Sequence, residues 1–241
     1  MRDDRVLEID GLWAGYHETV ILQDIHMSVG KNEIVCLLGK NASGKTTLIR
    51  AILGLVKVTQ GEIRFQGKNI TNLKTPSIVQ SGISVVPEAH RIFGRMTVLD
   101  NLLIGACSRK DKADVAKDLN RVNALFPVLD ERRHDTAGGL SGGQQQMLAI
   151  ARALMASPTL ILMDEPSQGL APSMVQDVYK IVEKINQSGV TILLIEQNVT
   201  KALQVSDRGY VLDQHTIVEK GYAKDLMGKP LIRQVYLGES V

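Results

Sequence analysis

Apolar and polar positions along the chain alternate between two rhythms. Residues 5–35 carry short apolar runs broken by turn residues, "VLEIDGLW" and then "HMSVGKNEIVCLLG", in which Gly30, Lys31 and Asn32 suggest a hairpin. The run from Ile34 to Leu38 is continuous rather than alternating, as expected of a strand covered on both faces. After "GKNASGKTT" comes "LIRAILGL", whose apolar residues recur at helical spacing and stop at Gly54. The order read from this stretch is strand, loop, helix.

Between residues 90 and 139 the pattern becomes helical. Thr97 is placed to cap a helix with Asp100 three residues on, and Val115, Leu119, Val122 and Phe126 form one stripe in a charged segment. The stretch reads as a mostly helical lobe, either a functional insert or an ordinary pair of surface helices. Beyond it the pattern predicts a helix over 144–155, a strand over 160–163, a helix over 173–186 and a strand over 190–195. Alternation of buried strands with helices predicts an α/β fold whose sheet is mostly parallel. "DRGYVLDQHTIVEKG" reads as a closing hairpin and "LIRQVYLG" as a final helix, with no internal repeat.

Composition narrows the function classes. The 241 residues allow one large core with a smaller lobe. The net charge of +2 is scattered, which argues against a dedicated nucleic-acid binder. No stretch approaches the roughly 18 consecutive apolar residues of a membrane span, so a soluble, cytoplasmic protein is expected. Cys36 and Cys107 lie far apart with no metal-ligand partner at short spacing, and both read as buried small hydrophobes.

Three motifs carry chemistry. "GKNASGKTT" fits the phosphate-loop pattern, with Gly39, Gly44, Lys45 and Thr46 in the required places. Backbone amides and the positive end of the following helix would hold phosphate oxygens, Lys45 would reach the outer phosphates, and Thr46 would hold Mg²⁺. "LILMDEP" delivers Asp164 and Glu165 at the end of an apolar strand. Asp164 would help hold the metal, and Glu165 would orient or deprotonate water. "LSGGQQQM" puts Ser141, Gly142 and Gly143 just before a helix, a second anion site in a chain that already has one. Ser-Gly-Gly is also simply a good helix entry.

With these motifs in this order the chain resembles, over essentially its full length, the ATP-binding subunits of ABC transporters. "VPEAHRIFGRMTVLDNL", "QQQMLAIARALMASP", "DEPSQGLAP", "LLIEQNV" and the ending "YLG" resemble the LivF-type ATPases of branched-chain amino acid importers. The resemblance implies a P-loop fold of the ABC ATPase type, with an antiparallel β subdomain and the helical lobe set on the parallel core. It implies one domain over 1–241, with core and β subdomain in 1–89 and 140–241 and the lobe in 90–139. It also implies a head-to-tail dimer in which ATP on Lys45 and Thr46 of one subunit is covered by Ser141 and Gly143 of the other. Asn41 and Thr47 join the nucleotide contacts, and Glu88 joins Thr46 and Asp164 around Mg²⁺. Tyr16 sits where the family places an aromatic against adenine, with Trp13 as the competing platform.

Several positions depart from the broader family pattern. Ala42 replaces a glycine of the phosphate loop, a change that is tolerable if its φ is negative and costly if positive. Glu88 stands where glutamine is usual, Ala171 where aspartate is common, and Gln197 where the family has its switch histidine. Gln197 would then offer a non-titrating amide to the γ-phosphate. Glu196 and Asn198 read as solvated residues opening a loop. The implied function is ATP hydrolysis that powers an importer of branched-chain amino acids or a related small solute. Its partners would be the permease's membrane subunits, a second ATPase subunit, identical or related, and indirectly a solute-binding protein. The chain would lie on the cytoplasmic face of the inner or plasma membrane, attached through the permease. The alternatives are a weakly hydrolysing, ATP-gated regulatory partner and a soluble ABC ATPase without a transport role.

Overall fold

The structure, a computed structural model, describes residues 4–89, 91–109, 111–230 and 232. Strands β1 (Arg5–Tyr16), β2 (Thr19–Gly30), β4 (Lys57–Phe65) and β5 (Lys68–Asn69) form an antiparallel sheet in the order β2-β1-β4-β5. Strands β3 (Ile34–Leu38), β6 (Ile83–Val86), β7 (Leu160–Asp164), β8 (Thr191–Glu196), β9 (Arg208–Asp213) and β10 (Thr216–Tyr222) form the second, in the order β10-β9-β3-β8-β7-β6. All its pairings are parallel except β9 with the edge strand β10.

The continuous apolar runs explain why this second sheet is central. Every residue of β3, β7 and β8 is buried. Successive side chains point to opposite faces. Ile34, Cys36 and Leu38 therefore join one core with Ile192, Leu194, Ile161 and Met163, while Val35 and Leu37 join another with Leu193, Ile195 and Leu162. The first core is covered by helices α3 (Val98–Gly105), α4 (Lys112–Leu125), α5 (Pro127–Glu131), α6 (Gly142–Leu154), α7 (Pro172–Gln187), α8 (Val199–Val205) and α9 (Ala223–Met227). The second is covered by α1 (Lys45–Ile52), α2 (Thr75–Gln80) and the antiparallel sheet.

The elements read from periodicity are present within a few residues of their expected bounds. Thr97 forms a full capping box with Asp100 at the start of α3. In the α4 region Val122 and Phe126 are buried, with Val115 and Leu119 packed against the same core. The expected final helix falls outside the described residues apart from Ile232.

Two expectations are corrected. Gly30, Lys31 and Asn32 do not close a hairpin, because β2 and β3 belong to different sheets. Both edges of β3 are taken by parallel neighbours, and the turn is tied down across the fold instead. The Lys31 amide donates to Asp4 O at 2.8 Å and the Asn32 amide to Thr191 Oγ1 at 3.0 Å. Cys36 is buried as expected, but Cys107, just past the end of α3, is exposed.

Candidate functional site

Parallel pairing brings three strand tips to one edge. In the ladder, Leu38 at the end of β3 lies opposite Glu196 at the end of β8, and Ile195 lies opposite Asp164 at the end of β7. The phosphate loop leaves β3 here and enters α1 at Gly44, whose φ of 113° is open to glycine and strained for other residues. Gly39 has no room for a side chain either, since a Cβ would stand 2.5 Å from both Leu212 O and Ser43 Oγ. No acidic residue occupies the first turn of α1, so its positive end is uncompensated and suits an anion.

Lys45 is folded back over this loop. Its ammonium, only 5 % exposed, donates to Gly39 O at 2.8 Å and Lys40 O at 3.0 Å and lies 3.4 Å from Glu165 Oε1. Glu165 follows β7 with a φ of 49°, its amide donating to Ile195 O at 2.9 Å. Its second oxygen, Oε2, accepts from Gln197 Nε2 at 2.6 Å. The amide expected at a phosphate bonds the Glu165 carboxylate here, because β7 and β8 are paired and their tips lie side by side.

Behind them Asp164 is 5 % exposed, and its Oδ1 has no hydrogen-bond partner. Burial pushes this carboxyl up to about 6, the Glu165 and Glu88 charges add to the rise, and the Thr46 hydroxyl and Lys45 ammonium oppose it. An orphaned, desolvated carboxylate oxygen beside a threonine hydroxyl is a fitting donor set for a hard divalent cation.

A cleft of about 440 Å³ opens over these groups. Of the residues expected at the site, Tyr16, Asn41, Gly44, Lys45, Thr46, Thr47, Glu88, Glu165 and Gln197 line it. Ile21, Ala42 and Gln168 line it as well without having been expected as contacts. Ile21 carries no motif, and only the hairpin beside the loop brings it in; Gln168 lies within "DEPSQGLAP", on the turn after β7. Tyr16 lies at the cleft, its Oη accepting from Arg50 Nη1 at 2.8 Å, and Trp13 is not in the lining.

Ser141, Gly142 and Gly143 lie outside this cleft, at the start of α6. Ser141 Oγ accepts from the Gln144 amide at 3.3 Å, and the Ser141 amide donates to Gln144 Oε1 at 3.0 Å. Arg132 Nη1 donates to that same Oε1 at 3.0 Å, which fixes the cap. Ser141 and Gly142 are exposed while Gly143 is buried. Ala171 is an exposed residue at the start of α7. Glu196 is a correction: expected as a solvated loop residue, it is 2 % exposed. Asn198 is exposed as expected and caps α8 by accepting from the Lys201 amide at 3.1 Å.

A mostly parallel sheet whose strand tips carry a phosphate loop opposite an acidic pair defines a nucleotide-binding cassette of the P-loop class. The sequence model of the ABC transporter family matches residues 22–168. The chain belongs to that family. It is 42% identical, over 97% of its length and 100% of the relative's, to a protein from Pseudomonas aeruginosa. That relative is named the high-affinity branched-chain amino acid transport ATP-binding protein BraG. It is 34% identical, over 97% of its length and 98% of the relative's, to the lipopolysaccharide export system ATP-binding protein LptB of Haemophilus influenzae. Among solved structures, the ADP conformation of an ATP-binding cassette of an ABC transporter superposes with a TM-score of 0.85 at 29% identity, covering 98% of this chain and 99% of that one.

Proposed function

We propose that this chain is the ATP-hydrolysing subunit of an importer for branched-chain amino acids or a related small solute. The observation that carries the hydrolytic reading is the arrangement of Lys45 and Gln197 on the two oxygens of Glu165, directly over the phosphate loop. The solute class is supported by the 42% identity to a branched-chain amino acid transport protein, against 34% to a lipopolysaccharide export protein.

In this reading the loop amides, the start of α1 and Lys45 hold the triphosphate, and Tyr16 stacks against the base. Asn41 and Thr47 add contacts at the phosphates. Thr46 and Asp164, with Glu88 beside them, hold Mg²⁺, which supplies neutralisation of the phosphate charge. Glu165 orients a water toward the γ-phosphorus and accepts its proton as the new P–O bond forms and the bond to ADP breaks. Gln197 fixes the carboxylate's plane, and catalysis is otherwise positioning and electrostatics.

Ser141, Gly142 and Gly143 stand outside their own chain's cleft, which suits them to complete the site of a second ATPase subunit. Phe93 is 49% exposed on a loop pinned by Asn101, whose side chain bonds Phe93 N and O and Thr97 O. That rigid apolar presentation suits a cytoplasmic helix of the permease, which a solute-binding protein would supply from outside. No described helix is long and apolar enough to cross a membrane, in keeping with attachment through the permease at the cytoplasmic face.

Glu165→Gln in the complex assembled with its membrane subunits tests the chemistry. MgATP binding should persist while turnover drops by about a hundredfold or more. Turnover near wild type would overturn the assignment of Glu165, and a permease complex that imports an unrelated solute would overturn the substrate class.

A further inference from the structure

Glu196 ends β8, immediately before Gln197, and its carboxylate is 2 % exposed. Burying a carboxylate is costly without a compensating partner, and among the described ion pairs none includes Glu196. Desolvation raises its pKa, and hydrogen bonds from Ser167, Tyr179 and Gln197 act against that rise.

What the carboxylate does touch is specific. Oε1 accepts from the Ser167 amide at 3.2 Å, and Oε2 accepts from the Gln197 amide at 3.2 Å. Ser167 belongs to the turn after β7 that also carries Glu165 and Gln168, and Gln197 belongs to the tip of β8. Two further bonds cross the same gap: Glu165 N to Ile195 O at 2.9 Å and Gln197 Nε2 to Glu165 Oε2 at 2.6 Å. Pro166, between the two crossing points, has no amide to add. Behind the clamp, the Tyr179 hydroxyl lies 3.4 Å from Ser167 Oγ and backs it from α7.

We propose that Glu196 is a positioning residue for hydrolysis: its two oxygens tie the turn carrying Glu165 to the strand tip carrying Gln197 and so set the Gln197–Glu165 contact. The inference rests on the roles given above to Glu165 and Gln197. The carboxylate suits this task where an amide would not. A glutamine offers one acceptor oxygen and one NH₂, so it would leave one of the two backbone amides facing another donor. The clamp also accounts for the left-handed φ of 49° at Glu165, since strained backbone persists where its surroundings over-determine it.

The test is a double-mutant cycle on ATP turnover in the assembled complex, with Glu196→Gln, Gln197→Ala and their combination. Glu196→Gln is expected to lower kcat by about ten- to a hundredfold, the scale of a reacting group displaced by an ångström or so, with KM for MgATP changed by less than about threefold. In the Gln197→Ala background the same change is expected to cost less than about twofold, because the contact it serves is already gone. Equal losses in both backgrounds would reduce Glu196 to general scaffolding and overturn the proposal. So would a wild-type kcat for Glu196→Gln beside an inactive Glu165→Gln. An active Glu165→Gln would instead overturn the underlying reading of the site, and the proposal with it. Glu196→Asp, which keeps the charge but reaches only one of the two amides, carries the same cycle should the Gln variant fail to assemble.

Discussion

Ala42 is the one phosphate-loop position where the chain departs from glycine and the backbone demands it. Its φ is 64°, and its side chain is exposed on the cleft lining. An L-residue in the left-handed region costs roughly 1–2 kcal/mol, because Cβ crowds the carbonyl oxygen that follows. Ala42→Gly removes that strain but adds about 0.4–1 kcal/mol of unfolded-chain entropy. The exposed methyl makes no burial contribution of consequence, so the midpoints of the two ranges leave a net gain of about 0.8 kcal/mol. For a chain of this size that raises Tm by about 1–4 °C. Calorimetric unfolding of the nucleotide-free protein measures it. Ala42→Val should move Tm the other way, since a β-branched side chain is least tolerant of positive φ. MgATP affinity should change by no more than about twofold for Ala42→Gly, because a loop already in this conformation carries the same strain before and after binding. An Ala42→Gly protein that unfolds earlier than wild type would refute the reasoning, for it would mean that residue 42 is not left-handed.

Two further outcomes are expected. Gln197→His places an imidazole where the amide now meets the Glu165 carboxylate. The neighbouring anion favours imidazolium and moves its titration upward from about 6.5. The pH profile of turnover in the assembled complex should therefore gain an ionisation between about pH 6.5 and 8 that wild type lacks, and identical profiles would refute it. Burial pushes the Cys36 thiol up to about 12 while Cys107 is exposed, so a maleimide at neutral pH should label Cys107 alone in the native chain. Peptide mapping reads this directly, and rapid native labelling of Cys36 would contradict its burial.

Some of this protein was legible from the chain because the physics is local. The phosphate loop is a run of consecutive residues whose amides, lysine and threonine act together wherever a strand feeds a helix. The capping box of Thr97 and Asp100 spans a single turn, and the continuous apolar runs of β3, β7 and β8 announce strands covered on both faces. Asp164 and Glu165 could be placed at a strand tip for the same reason.

What tertiary structure alone decided depends on which strands are neighbours. Gly30, Lys31 and Asn32 look like a hairpin turn, yet β3 finds its partners in β8 and β9, far along the chain. The sign of φ at Ala42 follows from how the loop must pass from β3 into α1, and nothing in the residue itself states it. Glu196 reads as a solvated loop residue, since polar Gln197 and Asn198 follow it; its neighbours in space are the Ser167 turn and Tyr179. Gln197 found the Glu165 carboxylate for the same reason. A motif fixes chemistry over a few residues, whereas burial and hydrogen-bond partners are properties of contacts between segments whose separation along the chain carries no such signal.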